Sequence, residues 1–211
     1  MFQTVRILDS YRLRSEDHAE IIQHKAGLVI VVADGAGGMT GGDEAADTIM
    51  MWVKAFASRT ERLHNPAQWR DLLAKLDFQV SCGNGQTTAV VAAVTEEGIC
   101  GASVGDSAAW TISPDGCCDL TKDQVQKPLL GSGAAKPVAF EKPGFDGTLL
   151  VASDGLVKYA ARDRICATAI EKDLTAAGRH VIDLARLRSG TLQDDVAIVL
   201  CRRSANGGSV C

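Results

Sequence analysis

Five aspartates in this sequence stand at the ends of apolar runs, where carboxylates of this number and type could hold hard metal ions. Asp34 follows GLVIVVA, Asp106 follows GASVG, Asp154 follows LLVAS, and the pair Asp194-Asp195 precedes VAIVL. If those runs are neighbouring strands, their ends aim the carboxylates into one cleft. Clustered carboxylates repel one another and need a cation to neutralise them. A set of oxygen donors without Cys or His favours Mg2+ or Mn2+ over zinc. Glycine after Asp34 and after Asp154 permits tight backbone geometry, and a bare carbonyl there can also ligate. Asp-Gly is also a common turn dipeptide, so each aspartate alone reads as a turn residue. Their recurrence at buried strand ends is what points to a site.

The elements that must position these residues follow from hydrophobic spacing. A first strand is expected over 4–8, and the continuous apolar run 27–33 has the length of a buried strand. A polar stretch separates the two. Residues 44–58 repeat apolar positions at three and four, as a helix does. A second helix is expected over 66–80, with Asn65 as its cap and Pro66 in its first turn. Strands are expected over 87–94, 99–104, 108–112 and 118–120. Their separators TEEG, GDS and SPDG are turn-like, which reads as an antiparallel meander. Residues 121–146 scatter Gly, Pro and Lys without a clear period. A buried strand over 149–152, helical segments over 156–187 broken near Gly178, and a last strand over 196–201 complete the chain. Strands bracketed by helices suggest an α+β sandwich.

Composition narrows the function classes. The chain has 211 residues, 46% hydrophobic and 23% charged, with a net charge of −4. That profile fits one globular domain and excludes a disordered chain. The acidic balance argues against a nucleic-acid footprint. No apolar run approaches the roughly 20 residues of a membrane helix, and the start MFQTVRILDS lacks a secretory apolar stretch, so a cytoplasmic location is expected. The seven cysteines are odd in number, and Cys117-Cys118 lacks both CxxC spacing and a nearby histidine, so reduced thiols are expected. One domain over 1–203 and a Ser/Gly-rich tail over 204–211, ending in Cys211, are expected.

The segment VVADGAGGMTGGDEAAD resembles the DG-x-GG motif of the metal-dependent protein phosphatases of type 2C. GQTTAVVAAV…ASVGDSAAW, LLVASDGLVKYA and LQDDVAIVLCR resemble further segments of that family in the same order. Upstream, RLRSED resembles its R-x-x-x-(E/Q)-D segment, with Arg12, Glu16 and Asp17 in register. The likeness spans residues 12–202 and fits the compact bacterial members.

The resemblance implies a four-layer α-β-β-α sandwich, two central antiparallel sheets flanked by helices, with a two-metal site at one end. By position, Asp34 would bridge two Mn2+ or Mg2+ ions, the Gly35 carbonyl would ligate one of them, and Asp154 and Asp194 would complete the other. Glu16 and Asp17 would act mostly through waters. Asp106 matches a residue that helps bind a weaker third metal, and Arg12 matches the arginine that grips the substrate phosphate. The implied reaction is hydrolysis of phosphoserine and phosphothreonine in proteins through a metal-bridging water. A phosphorylated protein substrate, a paired kinase and a monomer are the expected partners and state. Two other readings are a regulatory phosphatase for one phosphorylated partner, such as an anti-sigma-factor antagonist, and a silent pseudophosphatase that only binds phosphoprotein.

Chemistry supports the implied roles. Two ions can neutralise a phosphomonoester, lower the pKa of a bridging water and orient in-line attack. An arginine fork suits phosphate oxygens better than a lysine. The Cys-x5-Arg loop of cysteine phosphatases and the DxDx(T/V) start of aspartyl-phosphate phosphatases are absent from the sequence. Several positions depart from the family pattern. Animal members carry a histidine two residues after the aspartate, where this chain has Ala19. His18 lies one position earlier, and on a strand that slip turns it to the opposite face, so a structural role is expected. His24, His64 and His180 read as surface residues. Thr87 and Thr88 read as strand structure beneath the site. Only 28 residues separate Leu120 from Leu149, where many members insert a longer flap beside the active site. A more open cleft is expected, with specificity supplied by a partner protein.

Overall fold

The computed structural model describes residues 1–11, 15–36 and 41–204. Arg12, Gly37, Gly38 and the tail from Ala205 to Cys211 lie outside the described residues.

Among the described residues, ten strands form two five-stranded sheets. The first contains β1 (Phe2–Asp9), β10 (Val196–Arg203), β9 (Thr148–Ala152), β6 (Ala108–Ser113) and β7 (Gly116–Asp119), in that order. The second contains β2 (Asp17–His24), β3 (Gly27–Asp34), β4 (Ala89–Thr95), β5 (Gly98–Val104) and β8 (Val138–Pro143). Every pairing within the sheets is antiparallel. Helices α1 (Gly42–Ala57) and α2 (Pro66–Ser81) cover the second sheet; α3 (Asp154–Val157), α4 (Arg162–Ala169) and α5 (Leu174–Asp183) lie on the side of the first.

Alternation along the strands builds the layers. In β3, Val29, Val31 and Ala33 join the core under α1 and α2, while Leu28, Ile30 and Val32 face the other sheet. In β10, Val196, Ile198 and Leu200 pack toward α4 and α5, while Ala197, Val199 and Cys201 face the middle. A strand buried on both faces reads as an unbroken apolar run, which is why 27–33 and 196–201 were legible. The expected four-layer α-β-β-α sandwich is the observed architecture.

Two strands escape the pattern. β2 (DHAEIIQH) and β8 (VAFEKP) are the outer strands of the second sheet. Edge strands carry charged and polar side chains that discourage pairing with other chains, and this masks their period. The expected meander is corrected as well. β4 and β5 pair in one sheet, whereas β6 and β7 pair in the other, so the turn through residues 105–107 crosses between sheets. The helix break falls between α4 and α5 rather than at Gly178. A Cβ on Gly178 would lie 2.9 Å from Ile7 Cδ1 and 3.1 Å from Val5 Cγ1; the glycine lets α5 approach β1.

Candidate metal centre

The strand ends converge at one end of the sandwich. There a cleft of about 360 Å³ is lined by Glu16, Asp17, Asp34, Gly35, Asp106, Asp154, Asp194 and Asp195, with Lys127 and Lys158 among its other residues. Every expected site residue among the described ones is brought together here; Arg12 lies outside the described residues. A roomier cleft of about 590 Å³ between α1 and α2 is lined by Trp52, Phe56, Leu72 and Phe78; it is mainly apolar and holds no carboxylate.

Each carboxylate reaches the cleft by a different route. Asp34 ends β3. Its backbone N–H donates to Thr88 Oγ1 at 3.1 Å, and its carbonyl accepts from Thr87 Oγ1 at 2.8 Å and Thr88 N at 2.9 Å. The two threonines thus support the strand end from beneath, as expected. Asp106 sits in the crossing turn, next to Ser107, whose hydroxyl bonds Thr88 Oγ1 at 2.8 Å. Asp154 opens α3 directly after β9. A Cβ on Gly155 would lie 1.9 Å from the carbonyl oxygen of Asp195. Only glycine lets α3 sit this close to residues 194–195. Gly35 is equally confined, since its Cβ would meet the Gly42 backbone at 2.5 Å.

Burial gives the cluster its electrostatics. One oxygen each of Asp34, Asp106 and Asp154 lies within 4.8 Å of the others. At an effective dielectric of about 20, each ionised pair at that spacing repels by roughly 3 kcal/mol. Desolvation, reinforced by Asp17 and Asp154, pushes Asp34 up to about 10. Desolvation likewise raises Asp17 to about 6, partly offset by hydrogen bonds from Ser153 and Asp34. Asp17 is 5% exposed, and its Oδ2 is buried without a hydrogen-bond partner. An orphaned buried oxygen costs stability unless something binds it. These features fit divalent cations with oxygen ligands, and no Cys or His competes among the described residues lining the cleft.

Asp194 and Asp195 divide the work. The Asp194 carboxylate accepts from Asp195 N at 3.0 Å and remains at the cleft. Asp195, 6% exposed, accepts from Tyr11 N at 2.8 Å and Glu16 N at 3.1 Å. It therefore anchors both ends of the segment that carries Arg12.

Sequence reasoning missed several contributors. Lys158 bonds the Asp154 carboxylate and lies 3.8 Å from Asp106; the i,i+4 spacing from Asp154 was its only signal. Lys127 and Leu129 line the cleft from the segment after Leu120. That segment is pinned by buried Asp77 of α2. Its carboxylate accepts from Gly131 N at 2.8 Å, Gly133 N at 3.1 Å and Ala135 N at 2.9 Å. An acid on a helix whose partners lie more than fifty residues away leaves no local sequence signal. His18 behaves as expected: its ring nitrogens meet Asp43 at 2.8 Å and Asp47 at 3.3 Å on α1. His64, expected at the surface, is half-buried and bonds Glu141 at 2.9 Å.

Compared with known proteins, the sequence matches the family described as Protein phosphatase 2C over residues 11–127. Its fold is similar to that of a bacterial serine phosphatase (21% identity, TM-score 0.87, 98% of this chain and 99% of that chain). It is also similar to the serine/threonine phosphatase Stp1 from Staphylococcus aureus (22%, 0.85, 97% and 96%). The catalytic domain of the serine/threonine phosphatase PstP, in complex with two manganese ions, is a further neighbour (17%, 0.79, 95% and 97%). No curated protein matches the sequence.

Proposed function

The chain belongs to the protein phosphatase 2C family, and from that premise we propose that residues 1–203 form one catalytic unit that hydrolyses phosphoserine and phosphothreonine in proteins with two divalent ions. The observation that carries this reading is the buried, unpartnered Asp17 Oδ2 beside Asp34 and Asp154, which each bring an oxygen within 4.8 Å of the other.

Held there, two ions would neutralise a phosphomonoester and make water nucleophilic enough for in-line attack. Asp34, at the end of β3, would hold both ions. The Gly35 carbonyl would complete one, and Asp154 and Asp194 the other. Glu16 and Asp17 would act mostly through waters. Arg12 orients the phosphate by a bidentate fork, and Asp195 holds the backbone on either side of it. His18 is committed to α1, so protonation of the leaving group falls to water. The oxygen donor set accepts Mn2+ or Mg2+, and the manganese described for PstP supports the former. A phosphorylated protein substrate, a paired kinase, a monomeric state and a cytoplasmic location belong to the same proposal. No helix among the described residues is long and apolar enough to cross a membrane.

The test is initial rates on phosphothreonine, phosphoserine and phosphotyrosine peptides with Mn2+, Mg2+ or chelator. Metal-dependent release from the first two, and little from the third, is expected. Release that is equal in chelator would overturn the reading.

A further inference from the structure

The cluster already contains one cation of its own. Lys158 caps α3, donating its backbone N–H to Asp154 O at 2.8 Å. That single turn stacks its side chain over Asp154, four residues earlier, in the favourable acid-before-base order. The ammonium bonds Asp154 Oδ2 and lies 3.8 Å from Asp106 Oδ2. It therefore sits between two carboxylates from different connections, the crossing turn and the end of β9. Both anchors are fixed. Gly105 N donates to Val125 O at 3.0 Å, and the Ser107 hydroxyl bonds Thr88 at 2.8 Å, which holds the turn that carries Asp106.

A divalent ion ligated by both Asp106 and Asp154 would have to sit near the same point, because oxygen ligands approach Mg2+ within about 2.1 Å and Ca2+ within about 2.6 Å. An ammonium and such an ion cannot share that space, since both like charge and van der Waals volume oppose it. The tether also removes the reason for an ion there, as one fixed positive charge already faces the pair. Resting on the two-ion reading above, we propose that Lys158 is a tethered cation that reserves the Asp106–Asp154 side of the cluster. The chain then works with two divalent ions and excludes a third. Asp106 acts as the anchor of the lysine and not as a metal ligand. A lysine ammonium is charged at neutral pH at its ordinary pKa, so the tether carries its charge there.

The proposal predicts metal stoichiometry. Mn2+ binding to the whole chain would be measured by titration calorimetry and equilibrium dialysis, with circular dichroism to confirm folding. Wild type should bind about two ions. Lys158→Met, which keeps the stem and removes the charge, should bind about one more. Lys158→Met/Asp106→Asn should return to about two, and Lys158→Arg, which keeps the charge, should remain at two. If Lys158→Met does not fold, Lys158→Gln takes its place. A third ion on wild type, or two ions of unchanged affinity in Lys158→Met, would overturn the tether while leaving the two-ion reading intact. Absence of Mn2+ binding by wild type would overturn both.

Discussion

Asp17 and Asp34 stand directly opposite each other in the β2–β3 register. The two carboxyls that burial raises to about 6 and about 10 thus share one rung of the sheet. Like charges placed opposite each other weaken a sheet, so ionising this rung works against the fold unless a cation sits beside it. Binding and stability are coupled at that rung.

Stability of the metal-free protein should fall as pH rises. For both groups the folded pKa lies above the unfolded value of 3.8. Their contribution is complete below about pH 4, then declines through about 6 for Asp17 and toward about 10 for Asp34. In chelator, the melting temperature is expected to drop between about pH 5 and pH 8. Mn2+ should cancel most of the drop, because the ion replaces the proton. Differential scanning fluorimetry across that range checks both; a melting temperature that climbs with pH in chelator would contradict the account.

Asp34→Asn replaces a carboxyl that must take up a proton on folding when no metal is bound. In chelator the variant should melt higher than wild type at neutral pH, by about 2–4 °C for each kcal/mol relieved. The same change should abolish the gain that Mn2+ gives wild type. Paired melts with and without Mn2+ read both effects, and a destabilised variant that still responds to Mn2+ would argue against Asp34 as a ligand.

Metal affinity should rise with pH. A ligand must lose its proton before it can coordinate, and Asp34 holds its proton to about 10. With one proton released, the apparent Mn2+ association constant should gain about tenfold per pH unit below that value. Calorimetry in buffers of different ionisation heat would count the proton directly.

Asp195→Ala strips the acceptor from the Tyr11 and Glu16 amides. Two part-buried amides that lose this acceptor cost on the order of 1 kcal/mol each. The variant should melt several degrees lower, and its KM for a phosphopeptide should rise more than its Mn2+ dissociation constant, because the loosened segment carries Arg12. An unchanged KM with weakened Mn2+ binding would place Asp195 among the ligands instead.

Asp77→Ala should release the turn that borders the cleft. Amide hydrogen exchange at Gly131, Gly133 and Ala135 is expected to accelerate together, since all three donate to that carboxylate. Exchange that quickens at only one of them would mean that other contacts hold the segment.

Much of this molecule was legible in the sequence where burial is two-sided. The runs at 27–33, 149–152 and 196–201 are apolar throughout because both faces of their strands pack inward. The aspartates that terminate them mark the cleft. What stayed hidden depends on partners distant in the chain. β2 and β8 lose their period at the sheet edges, and the crossing between sheets at residues 105–107 looks like any hairpin turn. Asp77 and Asp195 spend their carboxylates on backbone amides far away in sequence. Lys158 sits four residues after a motif aspartate on a helix of four residues, too short to give a period. Arg12, which the motif marks, lies outside the described residues.

The most direct test of the central claim is hydrolysis of a phosphothreonine peptide by wild type and Asp154→Ala, each with Mn2+ and with chelator. The account predicts turnover only for wild type with Mn2+, with Asp154→Ala reduced at least a hundredfold while remaining folded by circular dichroism. Turnover that survives chelator, or an Asp154→Ala variant as active as wild type, would contradict a metal centre built on these strand ends.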